Sequence, residues 1–201
     1  MNHLANLYLA RHKGDRMLGC LIGEIIRTTN QDKYNEHIME GIELNKNITN
    51  FCLQHPAYLR SKNRLHPKYS KHSGKIIDIF YDHFLASNWN HYSELELAEY
   101  CTQTYAFINE NYQTLPYKLR KLTNVMIQDN WLFHYSSVEG IHRYMREITR
   151  RDTFQTNLEY SLEDLIQSYH AFKADFDELF PALISFADEQ MRKRELVLQI
   201  A

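Results

Sequence analysis

Apolar residues recur along this chain at intervals of three and four, the spacing of helices with one buried face, and no segment alternates as a half-buried strand would. Leu4, Ala5, Tyr8 and Leu9 predict a short helix over residues 2–12, closed by a turn at Gly14-Asp15. Met17, Leu18, Leu21, Ile22, Ile25 and Ile26 form a wide stripe over 16–28. Asn30-Gln31-Asp32 reads as the start of a longer helix ending before Pro56, with Ile38, Ile42, Asn45, Thr49 and Cys52 inward. Two polar residues, Asn45 and Thr49, therefore fall on a core seam. Pro67 divides 57–74 into mixed structure. Helices follow over 75–88 and 93–110, the latter with Leu97, Cys101, Tyr105 and Ile108 in register. Pro116 opens another helix, where its missing N–H costs nothing. Ser137 caps 138–150, with Val138, Ile141, Met145 and Ile148 inward, and Ser161 with Asp164 caps 161–180. Pro181 begins a last helix that runs into Arg192-Lys193-Arg194. The pattern implies a single all-α domain, a helical bundle over 1–201.

One helix departs from the ordinary two-faced pattern. Ile76, Ile77, Ile79, Phe80, Phe84 and Leu85 cover most of its circumference, so it is expected to be largely buried. Its narrow polar stripe carries Asp78 and Asp82, four apart and on one face, with His83 beside Asp82. Two carboxylates one turn apart repel, and burial strips their hydration, so they call for partners. A divalent cation would offset both costs, and carboxylate with imidazole suits one. Asp78, Asp82 and His83 are therefore the candidate functional residues. The alternative is structural: one Asp paired with a cation and the other reaching solvent.

Composition adds little to this. Apolar residues make up 44% and charged residues 24%, as in ordinary globular chains, and six glycines with four prolines are too few turns for a many-stranded sheet. The net charge of −2 names no partner and gives no reason to expect nucleic acid. Cys20, Cys52 and Cys101 lie in apolar patterns and read as reduced core residues. No apolar run suits a membrane span and the first residues lack a secretory pattern, so a cytoplasmic protein is expected. From Leu44 to Ile77 there is no acid, yet Lys46, Arg60, Lys62, Arg64, Lys68, Lys71 and Lys75 occur, which reads either as a basic docking surface or as a solvated region. The 11 histidines show no HExxH spacing, and neither a Gly-rich phosphate loop nor a GxSxG elbow is present.

The block Asp78-Ile79-Phe80-Tyr81-Asp82-His83-Phe84-Leu85-Ala86-x-x-Trp89 resembles the acyl carrier protein phosphodiesterase family. Met1-Asn2-x-Leu4-Ala5-Asn6-Leu7-Tyr8-Leu9-Ala10, Gly41-Ile42, Asn130-Trp131-Leu132 and Arg150-Arg151 are similar to it as well. The resemblance implies an HD-domain-like helical fold. It also implies hydrolysis of the phosphodiester joining 4′-phosphopantetheine to a serine of holo acyl carrier protein, with a divalent metal, manganese or magnesium. A metal would polarise the phosphoryl oxygen and activate water. On this basis Asp82 and His83 would hold the metal or the attacking water, supported by Asp78 and Glu24. The carrier protein, being acidic, would dock on Arg60, Lys62, Arg64, Lys68 and Lys71.

The chain departs from the family pattern at several of these positions. It has Asn6 where the pattern has His, Glu24 where it has Asp, and Asn45, Lys46 and Thr49 where it has His, Arg and Asp. Glu24 keeps a carboxylate; Asn45 and Thr49 keep only neutral oxygens. His3 is not expected to stand in for the imidazole missing at Asn6, because three residues shift a side chain by about 4.5 Å along the helix. Glu43 points about 200° away from the face of Asn45. Three readings follow: an enzyme with an altered site, a non-catalytic paralogue that binds carrier protein or a phosphopantetheine-like ligand, and an HD-like hydrolase of another phosphoester.

Overall fold

The structure is a computed structural model that describes residues 1–11, 14–26, 33–151 and 158–200, with side chains placed except at 151 and 195–200. Its helices are α1 (His3–Leu9), α2 (Gly14–Gly23), α3 (Glu36–Gln54), α4 (Pro56–Tyr69), α5 (Ser73–Ser87), α6 (Leu97–Glu110), α7 (Tyr117–Gln128), α8 (Trp131–His134), α9 (Val138–Arg151), α10 (Ser161–Gln167) and α11 (Tyr169–Ile200). No strand occurs among the described residues, as the spacing of apolar residues implied. None of the described helices is long and apolar enough to cross a membrane.

The helix singled out by its apolar circumference, α5, lies at the centre, packed by α1, α4, α9 and α11. Eleven of its fifteen residues are buried, including Asp82 and His83. Phe80 meets Phe172, while Phe84 meets both Tyr169 and Phe176, so the aromatic face of α5 lies against α11. Stripping residues of this size from water supplies most of the fold's stability. The tightest helix pair is α2 with α3. A Cβ on Gly19 would lie 2.1 Å from the Ile38 carbonyl, and one on Gly41 2.1 Å from that of Arg16, so any larger residue at either position would force the helices apart. That crossing sets Gly23 and Glu24, at the end of α2, beside Asn45.

Several helix ends differ from expectation. The start at Asn30-Gln31-Asp32 lies outside the described residues; α3 begins at Glu36, capped by the Asn35 side chain, which accepts from the Ile38 N–H at 2.9 Å. Helix α6 begins only at Leu97, because Trp89–His91 form a separate 3-10 turn. Pro67 and Pro181 do not end helices but lie within α4 and α11. Each deprives one carbonyl of its partner, that of Asn63 or Asp177, and both residues are exposed, so water can serve instead. Ser161 is not a cap; its hydroxyl donates to the Leu158 carbonyl at 2.6 Å, and the expected 161–180 helix breaks at Ser168. Ser137 does cap α9, accepting from the Gly140 N–H at 3.1 Å. The three cysteines are buried and unpaired, as expected.

Candidate functional site

Helix α1 is buried along its whole length, yet it carries two polar residues, His3 and Asn6, three apart and on one face. Both turn toward Glu24. The His3 Nδ1–H donates to Glu24 Oε2 at 2.6 Å, and the Asn6 amide donates to Oε1 at 2.9 Å. Burial opposes the charged ring of His3, but the Glu24 carboxylate beside it outweighs that and holds the imidazole above its ordinary pKa. The expectation that His3 would not reach this site is thus corrected: Glu24 is long enough to bridge both positions. His3 Nε2 meets the Tyr144 hydroxyl at 3.3 Å, and Asn6 Oδ1 is buried without a hydrogen-bond partner among the described residues.

Asp82 lies behind this cluster and is wholly buried. Its two oxygens accept the backbone N–H groups of Leu4 and Ala5, both at 2.9 Å. The free N–H groups of a helix start suit an anion, so Asp82 fastens the first turn of α1 onto α5. Burial pushes its pKa up to about 7, against the pull of the two N–H groups and of His3. Asp78, one turn earlier, is more exposed; its Oδ1 lies 3.4 Å from the Met1 α-amino group and accepts from the Tyr58 hydroxyl at 3.1 Å.

His83 sits apart from these groups. Its Nδ1–H donates to the Tyr135 carbonyl at 2.8 Å and its Nε2 accepts from the Tyr169 hydroxyl at 3.1 Å. Burial lowers its pKa, favouring a neutral ring. A step of one residue on a helix is about 100°, which is why neighbours in sequence face different surroundings.

A cleft of about 740 Å³ opens where α2, α3 and α5 meet the start of the chain. Glu24, Asn45, Lys46, Thr49 and Asp78 line it, so four of the positions read from the sequence share one cavity with Lys46. Thr49 turns its hydroxyl to the Asn45 carbonyl at 2.9 Å, one turn back on its own helix. A smaller cavity of about 330 Å³ between α3 and α11 is lined by Arg16, Glu40, Glu43 and Arg194, whose charges pair with one another.

The expected ligand set Glu24, Asp78, Asp82 and His83 does not fit a resident metal ion as arranged. Among the described residues, no three His, Cys, Asp or Glu side chains converge as ligands. Both nitrogens of His83 are engaged by other protein groups and Asp82 is turned to the start of α1, outside the lining of the cleft that holds Glu24 and Asp78, whereas a divalent ion needs several convergent donors.

The expected docking residues are also largely engaged. Arg60 and Arg64 bind Asp175, Arg60 also reaches Glu178, and Lys68 binds Asp164. They tie α4 to α10 and α11. Lys62 is half-buried, and Lys71 is exposed.

The sequence reading weighed His3 and set it aside, and did not raise Tyr58 or Tyr144. The first was within reach of the reasoning used for Asp78 and Asp82: on a helix with apolar residues all round, polar residues three apart mark a polar seam.

Among the described residues the protein is all-helical, with a cleft lined by acids and a lysine. The chain belongs to the acyl carrier protein phosphodiesterase family, whose model matches residues 1–183. Curated relatives bearing that name include those of Photorhabdus laumondii, 25% identical over 94% of this chain and 96% of the relative, and Pectobacterium atrosepticum, 24% identical over 94% and 99%. A third, from Serratia proteamaculans, is 22% identical over 94% and 99%. No solved structure matches.

Proposed function

We propose that this chain hydrolyses the phosphodiester joining 4′-phosphopantetheine to the serine of holo acyl carrier protein, and that the cleft of Glu24, Lys46 and Asp78 is where it does so. The observation that carries this reading is the gathering of those residues in one cavity of a chain whose residues 1–183 match the family. Lys46 offers a cation for the phosphoryl oxygens. Glu24 is held by His3 and Asn6 with lone pairs to spare, so it can accept a proton from an attacking water. The acidic carrier protein meets exposed Lys46 and Lys75, which flank the cleft on α3 and α5, rather than Arg60, Arg64 and Lys68, which bind acids of this chain.

The test is to incubate the purified chain with holo carrier protein, with and without manganese, and to follow the carrier by mass spectrometry. Loss of the phosphopantetheine mass is expected; an intact carrier after prolonged incubation under both conditions overturns the reading. The second reading, binding without cleavage, is favoured by the neutral Asn45 and the inward-turned Thr49 hydroxyl. It predicts calorimetric binding of holo or apo carrier with no change in mass, and lack of binding to both removes it.

A further inference from the structure

We propose that the His3 imidazole, hydrogen-bonded to Glu24, takes the place a divalent cation would otherwise fill, so that this site holds no resident metal. The argument rests on which atoms still have lone pairs to give. A carboxylate only accepts, so the 2.6 Å contact requires a proton on His3 Nδ1, and that nitrogen cannot ligate a metal. The other nitrogen, Nε2, meets the Tyr144 hydroxyl at 3.3 Å. Glu24 thus gains a hydrogen-bonded imidazole on one oxygen and the Asn6 amide on the other. A cation entering between Glu24 and His3 would have to expel a proton and break that hydrogen bond.

Among the described residues, no third acid or imidazole converges to compensate. Asp82 is fastened by two backbone N–H groups, and freeing it would undo the first turn of α1. Asp78 is held by Tyr58 and lies beside the Met1 α-amino group. The unpartnered Asn6 Oδ1 is a single neutral acceptor. Among the described residues, a Mn²⁺ or Mg²⁺ ion, which favours six oxygen donors, would find two carboxylates in the cleft, Glu24 tied to His3 and Asp78 tied to Tyr58, and otherwise neutral oxygens. His3 is therefore a positioning residue: its hydrogen bond fixes the Glu24 carboxylate at the cleft wall.

The inference rests on the proposed function only for what the site does; the state of His3 is a property of the folded chain. The test uses the full chain with isotope-labelled histidine, the His3 ring signals being assigned by their loss in His3→Gln. MnCl₂ is then added in excess over protein. The expected result is that His3 signals show no selective broadening, and that metal analysis of the purified chain finds well under one ion per molecule. Selective broadening of His3 that saturates at one equivalent and vanishes in Glu24→Gln overturns the proposal. Hydrolysis of holo carrier protein assayed before and after chelation separates the two claims. Cleavage unchanged by chelation supports both, and cleavage that appears only with manganese overturns this inference while the function stands. Absence of cleavage with the His3 signals unaffected removes the function and leaves the metal-free site in place.

Discussion

Asp175 and Asp82 are both carboxylates sealed inside this protein, and they are satisfied in opposite ways. Asp175, on α11, accepts from Arg60, Arg64 and the Ser61 hydroxyl, all on α4. The arginines keep one side toward solvent, so the group is neutralised within the fold. Among the described residues, Asp82, on α5, has only the dipolar N–H groups of Leu4 and Ala5 within hydrogen-bond reach, and His3 acts on it from a distance. The first arrangement is a clamp between two helices. The second leaves a costly charge just behind the cleft, fixing the short helix that carries His3 and Asn6. Two equally buried acids thus have different uses: what separates them is whether a cation is bound to the carboxylate and whether a cavity lies next to it.

The largest expected effect is on the pH dependence of stability. Asp82 rises from its ordinary 3.8 to about 7 in the folded chain. Between those values the native state holds a proton that the unfolded chain releases. This contribution is therefore fully present below the unfolded pKa and is lost as pH rises through about 7, by as much as about 4 kcal/mol. His3, raised above 6.5, acts in the same direction at higher pH. Denaturant unfolding across this range should show a slope that Asp82→Asn largely removes. Equal slopes in the two proteins would mean that Asp82 is as well satisfied as Asp175, and the contrast would fail.

The clamp is broken from its cationic side. In the double variant Arg60→Ala with Arg64→Ala, Asp175 keeps only the Ser61 hydroxyl, and a stranded buried charge costs about 3 kcal/mol. The midpoint of denaturant unfolding should fall accordingly, while carrier protein binding by the folded fraction stays unchanged. A large loss of binding at unchanged stability would instead make these arginines part of the docking surface.

Glu24→Gln sharpens the other side. The amide retains the shape of the side chain but cannot take a proton from water, so hydrolysis by the folded protein should drop about 100-fold, with a fall in stability of about 1 kcal/mol because its NH2 meets one of the two donors, His3 or Asn6. A variant that cleaves at the wild-type rate would move the proton acceptor to another group, Asp78 first.

Most of the fold could be read from spacing alone. The apolar positions named on α5 and α6 are all buried because apolar periodicity reports burial directly, but Tyr81, Tyr100 and Thr104, buried as well, were not among them. Pro56 and Pro116 marked helix boundaries as read, but Pro67 and Pro181 misled, since a helix tolerates a proline wherever the orphaned carbonyl faces water, and sequence does not show which face that is. Glu24, Asn45, Thr49 and Asp78 were legible as one site through the family resemblance, and the cleft does contain them. His83 was grouped with Asp82 by adjacency, yet the helix turns it to Tyr135 and Tyr169. The engagement of Arg60 and Arg64 was hidden for another reason: their acid lies more than a hundred residues away, and no local pattern links them.

The smallest expected effect separates neighbours on α5. Tyr81 precedes Asp82, but its hydroxyl donates to Ser61 Oγ at 3.0 Å, which in turn donates to Asp175 at 2.8 Å. Tyr81→Phe removes the outermost link of the clamp and leaves no donor stranded, because Ser61 still donates to Asp175. The cost should be that of one neutral hydrogen bond, about 1 kcal/mol, read from the unfolding midpoint. The pH slope assigned to Asp82 should be unchanged in this variant. If Tyr81→Phe flattened that slope, the clamp and the cleft would be one coupled network rather than two, and the difference between the buried aspartates would have to be explained through α5 itself.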